Sequence, residues 1–310
     1  MNRRDAFQEV MLELMAAGKK MVCVSVDSAS RFKEVKARYP ERFVECGICE
    51  QVGMSVCAGF ALQGMIPVIS GYATFLTMRA FEQIRTDICK WSLNVNICGT
   101  DTGFSPQYSG FTHQALEDIA LLSSLDNITV AEACDYQDAL LMSKYLFGEV
   151  EGPVYLRFGA RGKEWVFGEC HQPVRAGYFE PLSKENFDGA DVTIIALGQL
   201  VEVGLEVAEV LGGKGIKTFV FNARFVKPLA QKMIEEIASG SKLVVSIEEH
   251  SVTGGLGDNL LRAFHEVGRV PRLLKFGVPS NFGISGKRDY LLRKCGLSVD
   301  SIANRVLSVF

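Results

Sequence analysis

The sequence predicts an α/β protein built from two doubly wound, mainly parallel sheets. Short apolar runs rich in β-branched residues alternate with longer segments of helical periodicity along most of the chain. This alternation is typical of parallel strands that are covered by helices on both faces. The chain has 310 residues, which is enough for two domains that each bury their own core.

The first half of the chain predicts one complete unit of alternating helices and strands. Pro40 ends the second predicted helix, because a proline ring cannot continue one. An irregular loop rich in Gly, Ser, Thr and Asp lies at residues 100–112, and a loop of that length in a compact domain usually carries function. The predicted strands are residues 21–26, 43–45, 66–70, 95–99, 127–131 and 154–158, and the predicted helices are residues 5–17, 31–39, 75–91, 114–124 and 136–147, with another that begins at Glu50.

The second half predicts a smaller unit of the same kind. Periodicity fails between Gly159 and Ala190, where Gly, Pro, Lys and Asp residues accumulate. We therefore predict a first domain at residues 1–168, a linker at residues 169–189 and a second domain at residues 190–310. The predicted strands of the second domain are residues 192–197, 218–221 and 243–248, and its predicted helices are residues 200–211, 230–238, 257–267 and 287–295.

Composition argues against several classes of protein. With 33 basic and 36 acidic residues, the chain has no positive surplus that would favour nucleic acid and no Lys/Arg-rich run that would favour a membrane surface. The apolar run at residues 54–70 is interrupted by Gln63, Gly64 and Pro67, so it is too short to span a bilayer. The nine cysteines are an odd number and lie mostly in apolar runs, which predicts a reducing compartment and a cytoplasmic protein.

Glu50 stands where a short apolar strand meets the start of a helix. No charged side chain occurs from Val52 to Met78, so the carboxylate borders a segment that is expected to be dry. A carboxylate in such a place is costly unless it is hydrogen-bonded or protonated. The ordinary alternative is an acidic residue in a first helical turn, which the helix dipole favours.

Three motifs in order resemble those of the transketolase family of thiamine-diphosphate enzymes. They are Gly-Ile-Cys-Glu-Gln at residues 47–51, Gly-Tyr-Ala-Thr-Phe at residues 71–75 and Gly-Phe-Thr-His-Gln at residues 110–114. Together they are similar to the pyrimidine-binding domain of that family. The resemblance implies that Glu50 hydrogen-bonds N1′ of the cofactor's pyrimidine as a protonated carboxyl. That contact favours the imino form in which the 4′-nitrogen can take the proton from thiazolium C2.

The resemblance also implies roles for other residues near these motifs. Ile48 matches an apolar residue that lies between the two cofactor rings, with a core residue at a strand end as the alternative. Tyr72 and Phe75 match aromatic walls of the pyrimidine pocket, although aromatic pairs in α/β proteins are more often core packing. His113 matches a histidine that contacts sugar hydroxyls, against the alternative of a solvated loop histidine. Ser109 replaces an aspartate that contacts the 2-hydroxyl of sugar acceptors in many transketolases, which leaves the exact substrate open.

Two arginines and two polar residues at strand ends complete the predicted substrate site. Arg157 and Arg161 lie at the carboxyl end of the strand at residues 154–158, where a guanidinium could bind a phosphate with two hydrogen bonds. Either arginine alone could instead form a surface ion pair. Asp27 and Ser30 follow another strand and are predicted to line the same cleft.

Two further features lie outside these motifs. Arg79 is expected on a solvated helix face. Glu248-Glu249-His250, followed by Gly254-Gly255-Leu256-Gly257, lacks the Lys-Ser/Thr of a phosphate-binding loop and is better explained as a tight strand-to-helix turn. In transketolase-like proteins this second segment occurs in the C-terminal domain, outside the cofactor pocket.

The chain lacks the Gly-Asp-Gly motif through which the family binds the diphosphate and Mg²⁺. The resemblance covers nearly all of the chain but only about the second half of a full-length transketolase. It therefore implies one subunit of a split transketolase, which moves a two-carbon ketol unit from a ketose phosphate to an aldose phosphate. The partner would be an N-terminal subunit that carries Gly-Asp-Gly and the ligands for Mg²⁺, in an assembly of two copies of each chain whose pyrimidine domains meet.

Three alternatives remain open from the sequence. A deoxyxylulose-phosphate synthase and a β subunit of a 2-oxoacid or acetoin dehydrogenase share the architecture and the glutamate. The loop at residues 110–114 and the two arginines favour a phosphorylated sugar over a dehydrogenase substrate. The third alternative is a non-catalytic regulatory or binding protein built on the same domains.

Overall fold

The computed structural model describes residues 3–159, 171–183, 187–279 and 284–310. Its strands form two mainly parallel sheets, which confirms the fold class that the sequence predicts. The strands are β1 (Met21–Ser25), β2 (Phe43–Glu45), β3 (Ile66–Tyr72), β4 (Asn96–Thr100), β5 (Thr129–Glu132), β6 (Val154–Phe158), β7 (Glu180–Pro181), β8 (Ala190–Ala196), β9 (Thr218–Asn222), β10 (Phe225–Lys227), β11 (Ser241–Ser251) and β12 (Arg272–Val278).

The first sheet has seven strands in the order β10-β5-β6-β4-β3-β1-β2. All of its ladders are parallel except the one between β10 and β5. Every residue of β1, β4 and β6 is buried, which explains why the sequences of these strands are mainly apolar and do not alternate between apolar and polar residues. Because β10 comes from the second half of the chain, it ties the two halves together.

The second sheet has five strands in the order β12-β11-β8-β9-β7. Its ladders are parallel apart from the short pairing of β7 with β9. The helices that cover both sheets are α1 (Arg3–Ala16), α2 (Lys33–Arg38), α3 (Glu50–Leu62), α4 (Phe81–Gln83), α5 (Asp118–Ser123), α6 (Tyr136–Gly148), α7 (Val201–Gly212), α8 (Gln231–Gly240), α9 (Leu256–Glu266), α10 (Arg288–Lys294) and α11 (Val299–Leu307). No helix in these described ranges is long and apolar enough to cross a membrane.

The apolar core of the second sheet includes residues from the first half of the chain. Phe104 and Leu116 are buried in a cluster formed mainly by side chains of β8, β11, α7, α10 and α11. Phe104 lies near the start of the polar loop that the sequence predicts to be functional, and Leu116 lies just beyond its end. The loop is therefore held at both ends by the packing of the second half.

Several predicted elements differ from the structure. Residues 75–91 form short helical pieces, with π-helical turns at Phe75–Arg79 and Ile84–Ile88, instead of one regular helix. The helix predicted at residues 114–124 begins only at Asp118, because the preceding residues remain part of the loop. Four elements escaped prediction. They are β7 and β10, which are very short, β12, which is an edge strand with charged residues in it, and the terminal helix α11.

Candidate active site

The candidate site lies at the carboxyl ends of the parallel strands of the first sheet, where ligands of doubly wound proteins collect. Glu50 is the first residue of α3 and is only 2% exposed, so it is not an ordinary solvated first-turn acid. Gly53 lets the helix lie against the sheet. A Cβ at this position would come within 2.9 Å of Ile69 Cδ1 and 3.0 Å of Val26 Cγ2. Close packing of α3 on β3 thus keeps the Glu50 carboxyl out of solvent.

Glu50 forms an ion pair with Arg79. Arg79 Nη1 donates to Glu50 Oε2 at 2.7 Å, and the guanidinium carbon lies 4.6 Å from the ring centroid of Phe75. Glu50 Oε1 has no donor among the described residues. The carboxyl is therefore fixed through one oxygen and can bind a further partner through the other.

Three aromatic rings meet beside this ion pair. The ring of His113 contacts Tyr72 at 5.9 Å and Phe75 at 5.2 Å between centroids, both edge to face. Tyr72 and Phe75 are themselves 5.9 Å apart. His113 Nδ1 lies 3.0 Å from Thr112 Oγ1, so a neighbouring hydroxyl also orients the ring. The structure thus brings together the residues that the three sequence motifs single out.

The remaining predicted residues lie nearer to solvent. Ile48 is 68% exposed, so the alternative of an ordinary core residue does not hold in this chain. Asp27 and Ser30 are exposed in the loop after β1. The backbone N–H of Asp27 donates to the carbonyl of Gly47 at 3.0 Å, which places this loop beside the turn that leads to Glu50. The contribution of these three residues to a ligand site stays a prediction.

Arg157 is buried inside the protein, so the prediction that it binds a substrate phosphate was wrong. Its side chain is 1% exposed and donates to Asp118 at 2.7 and 3.1 Å and to Glu132 at 2.6 Å. Burial alone would lower the pKa of this guanidinium, but Asp118 and Glu132 raise that pKa well above its usual range. The buried guanidinium is thus paired with two carboxylates of the same chain. Arg161 lies outside the described residues.

The sequence interpretation missed the contact of Arg79 with the site. Arg79 was expected on a solvated helix face, and its side chain is 45% exposed. The π-helical turn at Phe75–Arg79 shifts the residues relative to a regular helix, and Arg79 lies both over Phe75 and against Glu50. The spacing of four residues between Phe75 and Arg79 was the available signal.

A second charged cluster contains groups that could in principle hold a metal ion. Cys134, Asp135 and His171 lie close together, as do Asp138, His171 and Glu180. His171 Nε2 is 2.8 Å from Asp135, and Nδ1 is 3.0 Å from Glu180. Burial alone would lower the pKa of His171, but these hydrogen bonds raise it to about 10. Within the described residues, the cluster is held together by the ion pairs of His171 with Asp135 and Glu180.

Comparison with known proteins agrees with this geometry. The family described as "Transketolase, pyrimidine binding domain" matches residues 1–161, and "Transketolase, C-terminal domain" matches residues 183–302. A "Putative transketolase C-terminal section" from Methanocaldococcus jannaschii is 32% identical over 98% of this chain and 95% of that protein. A 1-deoxy-D-xylulose-5-phosphate synthase from Caldanaerobacter subterraneus is 31% identical over 98% of this chain but only 48% of that protein.

Solved structures give the same result. A "Split gene transketolase, inactive beta4 tetramer" superposes with a TM-score of 0.87 at 34% identity and covers 99% of this chain and 97% of its own. The transketolase of Campylobacter jejuni, at 19% identity, shares the fold with a TM-score of 0.77 over 99% of this chain and 46% of its own. This chain thus spans about half the length of the synthases and of that transketolase. It belongs to the transketolase family of thiamine-diphosphate-dependent proteins and carries the family's pyrimidine-binding and C-terminal domains.

Proposed function

We propose that this chain is the C-terminal subunit of a split transketolase. Together with a partner subunit, it would transfer a two-carbon ketol unit from a ketose phosphate to an aldose phosphate. The observation that carries the proposal is the buried carboxyl of Glu50, which Arg79 holds through Oε2 while Oε1 has no donor among the described residues. Arg79 also lies over Phe75, whose ring contacts His113.

The residues around Glu50 fit the pyrimidine half of thiamine diphosphate. When protonated at Oε1, Glu50 can donate a hydrogen bond to a ring nitrogen, and its fixed position sets the direction of that bond. Tyr72 and Phe75 are half-buried and offer aromatic surface against which a planar ring can pack. The bound cofactor would supply the nucleophilic carbon of the reaction, while these residues bind and orient it.

His113 and Arg79 are proposed to bind the sugar phosphate. His113 is half-buried at the end of the polar loop and has ring nitrogens that can exchange hydrogen bonds with sugar hydroxyls. Since the guanidinium of Arg157 is committed elsewhere, Arg79 takes its place as the proposed anion-binding group. Its remaining N–H groups have no partner in the part of the chain that the structure describes.

A second chain is needed to complete the site. The sequence has no Gly-Asp-Gly motif, so we expect the partner to carry it and to hold the diphosphate and Mg²⁺. Exposed apolar side chains surround the start of α3, among them Ile48 at 68% and Val52 at 55% exposure. Such side chains beside a candidate site suit a protein interface. We propose an assembly of two copies of each chain in which the pyrimidine domains meet, located in the cytoplasm.

Reconstitution tests this proposal. The purified chain and the candidate partner are assayed separately and mixed, with thiamine diphosphate, Mg²⁺, xylulose 5-phosphate and ribose 5-phosphate. We expect no ketol transfer by this chain alone and clear activity of the mixture. Full activity without the partner would contradict the split enzyme.

A synthase-like activity is the second candidate. Deoxyxylulose-phosphate synthases match 98% of this chain at 31–32% identity, and Ser109 replaces the aspartate expected in many transketolases. The same mixture is therefore given pyruvate and glyceraldehyde 3-phosphate. Release of CO₂ without ketol transfer between sugar phosphates would favour the synthase over the transketolase.

A further inference from the structure

The segment Glu248-Glu249-His250, whose role the sequence leaves open, contacts the loop that carries His113. We call residues 100–114 the His113 loop. At its start, the backbone N–H of Phe104 donates to Glu249 Oε1 at 2.7 Å. Just beyond its end, the backbone N–H of Ser251 donates to the carbonyl of Leu116 at 2.8 Å. Neighbouring residues of β11 thus hold both ends of the loop.

Glu249 is itself rigidly held. Arg288 Nε lies 2.9 Å from Glu249 Oε2 and 3.2 Å from Oε1, and Arg288 Nη2 also donates to Oε2. The approach of the loop is so close that a Cβ at Gly103 would lie 2.7 Å from Glu249 Oε1. Gly103 also has a φ of +60°, which favours glycine. The carboxylate and the loop therefore fit each other closely.

Arg157 reinforces the same junction. Its Nη2 donates to the carbonyl of Ala115 at 3.1 Å and to the carbonyl of Glu249 at 3.3 Å. The backbone N–H of Gly103 also donates to the Ala115 carbonyl, at 2.9 Å, and so closes the base of the loop. A residue predicted to bind substrate instead joins the His113 loop to the strand that carries Glu249.

The tip of the His113 loop has little packing of its own. Tyr108 is 68% exposed and Phe111 is 65% exposed. Gln114 Nε2 makes a long hydrogen bond of 3.4 Å to the carbonyl of Ile284. The anchors at the base of the loop therefore set the path of the chain that brings His113 to Tyr72 and Phe75.

We propose that Glu249 is a positioning residue that acts through His113. It fixes the base of the loop so that the imidazole stays against Tyr72 and Phe75, near Glu50. The consequence for catalysis rests on the sugar-binding role proposed above for His113. The positioning itself does not, since it depends only on contacts within this chain.

Glu248 offers a matched control. It is the preceding residue of β11 and is completely buried, but its carboxylate accepts hydrogen bonds from the backbone of Leu256 at 2.6 Å and Gly257 at 2.9 Å. These contacts lie within the second half of the chain. A change at Glu248 therefore perturbs the same strand without removing a bond to the His113 loop.

The first test observes His113 directly by NMR of the full chain labelled at its four histidines. The His113 signal is assigned with His113→Gln. We expect Glu249→Ala to shift or broaden this signal, Glu249→Gln to do so less because an amide oxygen can still accept the Phe104 N–H, and Glu248→Gln to leave it in place. An unchanged His113 signal in folded Glu249→Ala would overturn the proposal, as would an equal shift in Glu248→Gln.

The second test is a double-mutant cycle in the reconstituted complex. We expect Glu249→Ala to lower kcat/KM for the sugar phosphate by roughly tenfold, with unchanged thiamine-diphosphate binding, and to add less than about twofold when His113 is already alanine. Equal losses in both backgrounds would overturn an action through His113. If the wild-type complex shows no ketol transfer, the proposed function fails, while the NMR comparison still decides whether Glu249 positions the histidine.

Discussion

Glu50 and Arg79 are joined by a hydrogen bond of 2.7 Å between a buried carboxylate and a half-exposed guanidinium. The pair connects the start of α3 with the irregular helical segment after β3. Glu50 is therefore fixed through Oε2 and keeps Oε1 for another partner. Arg79 is held by Glu50 and keeps N–H groups that have no partner among the described residues. The two residues lead to different predictions, and replacing either one also removes a partner of the other.

Replacing Glu50 by glutamine should stop catalysis while the fold is retained. Glutamine keeps the shape but cannot serve as a proton-donating carboxyl, so we expect kcat of the reconstituted enzyme to fall by at least about 100-fold. Steady-state kinetics measure the effect, and circular dichroism checks the fold. Glu45→Gln is the control, because Glu45 is exposed and lies only five positions earlier. A Glu50→Gln rate within about tenfold of wild type would contradict the assignment.

Replacing Arg79 should weaken the binding of phosphorylated substrate. Arg79→Ala removes the guanidinium and leaves Glu50 buried without its counter-ion, so we expect KM for the sugar phosphate to rise by about tenfold or more. Arg85→Ala is the control, since Arg85 is exposed on the same segment and no ion pair of it occurs within the described residues. Equal KM values for the two variants would remove Arg79 from the proposed phosphate site.

Arg157 should matter for stability rather than for substrate binding. Arg157→Met leaves Asp118 and Glu132 buried without their counter-ion, which typically costs about 3–5 kcal/mol. Urea unfolding of the isolated chain measures this loss. Arg38→Ala breaks only an exposed pair with Glu34 and should cost less than about 1 kcal/mol. A stable Arg157→Met variant with an increased KM would restore the original prediction of a phosphate ligand.

The sequence was sufficient to predict some features of the fold and site but not others. The alternation of apolar runs with helical segments was sufficient for the fold class, because fully buried parallel strands leave a clear signal. Short motifs were sufficient to single out Glu50 and His113, which the fold brings to one cluster around Arg79 and Phe75. The role of Arg157 was not predictable in this way. The strand pattern gave the position of Arg157, but it did not show that Asp118 and Glu132 pair with its guanidinium.

The contacts of Arg79 and Glu249 could not be predicted from the sequence either. Arg79 contacts Glu50 from a π-helical turn, and no simple periodicity in the sequence marks such a turn. A regular helix was therefore expected for this segment. Glu249 reaches Phe104 across 145 positions of sequence, and only the folded chain shows that contact. Local pattern predicts elements well, whereas the pairing of buried charges depends on topology.

His171 should make stability depend on pH in the alkaline range. Burial alone would lower the pKa of this imidazole, but hydrogen bonds to Asp135 and Glu180 raise it from 6.5 to about 10. Since the folded-state pKa exceeds the unfolded value, the protonated ring contributes fully below about pH 6.5, and this contribution is lost as the pH rises through about 10.

The measurement is the free energy of urea unfolding of wild type and His171→Gln between about pH 7 and about pH 10.5. We expect wild type to be the more stable protein at neutral pH and the difference to shrink as the pH rises. His265→Gln is the control, because His265 is exposed and should give a small difference at every pH. Since His171 links Asp135 of the first half with Glu180 of the second, the same loss of charge should loosen the junction between the halves. A difference between wild type and His171→Gln that does not change with pH would show that the ring is neutral in the folded protein.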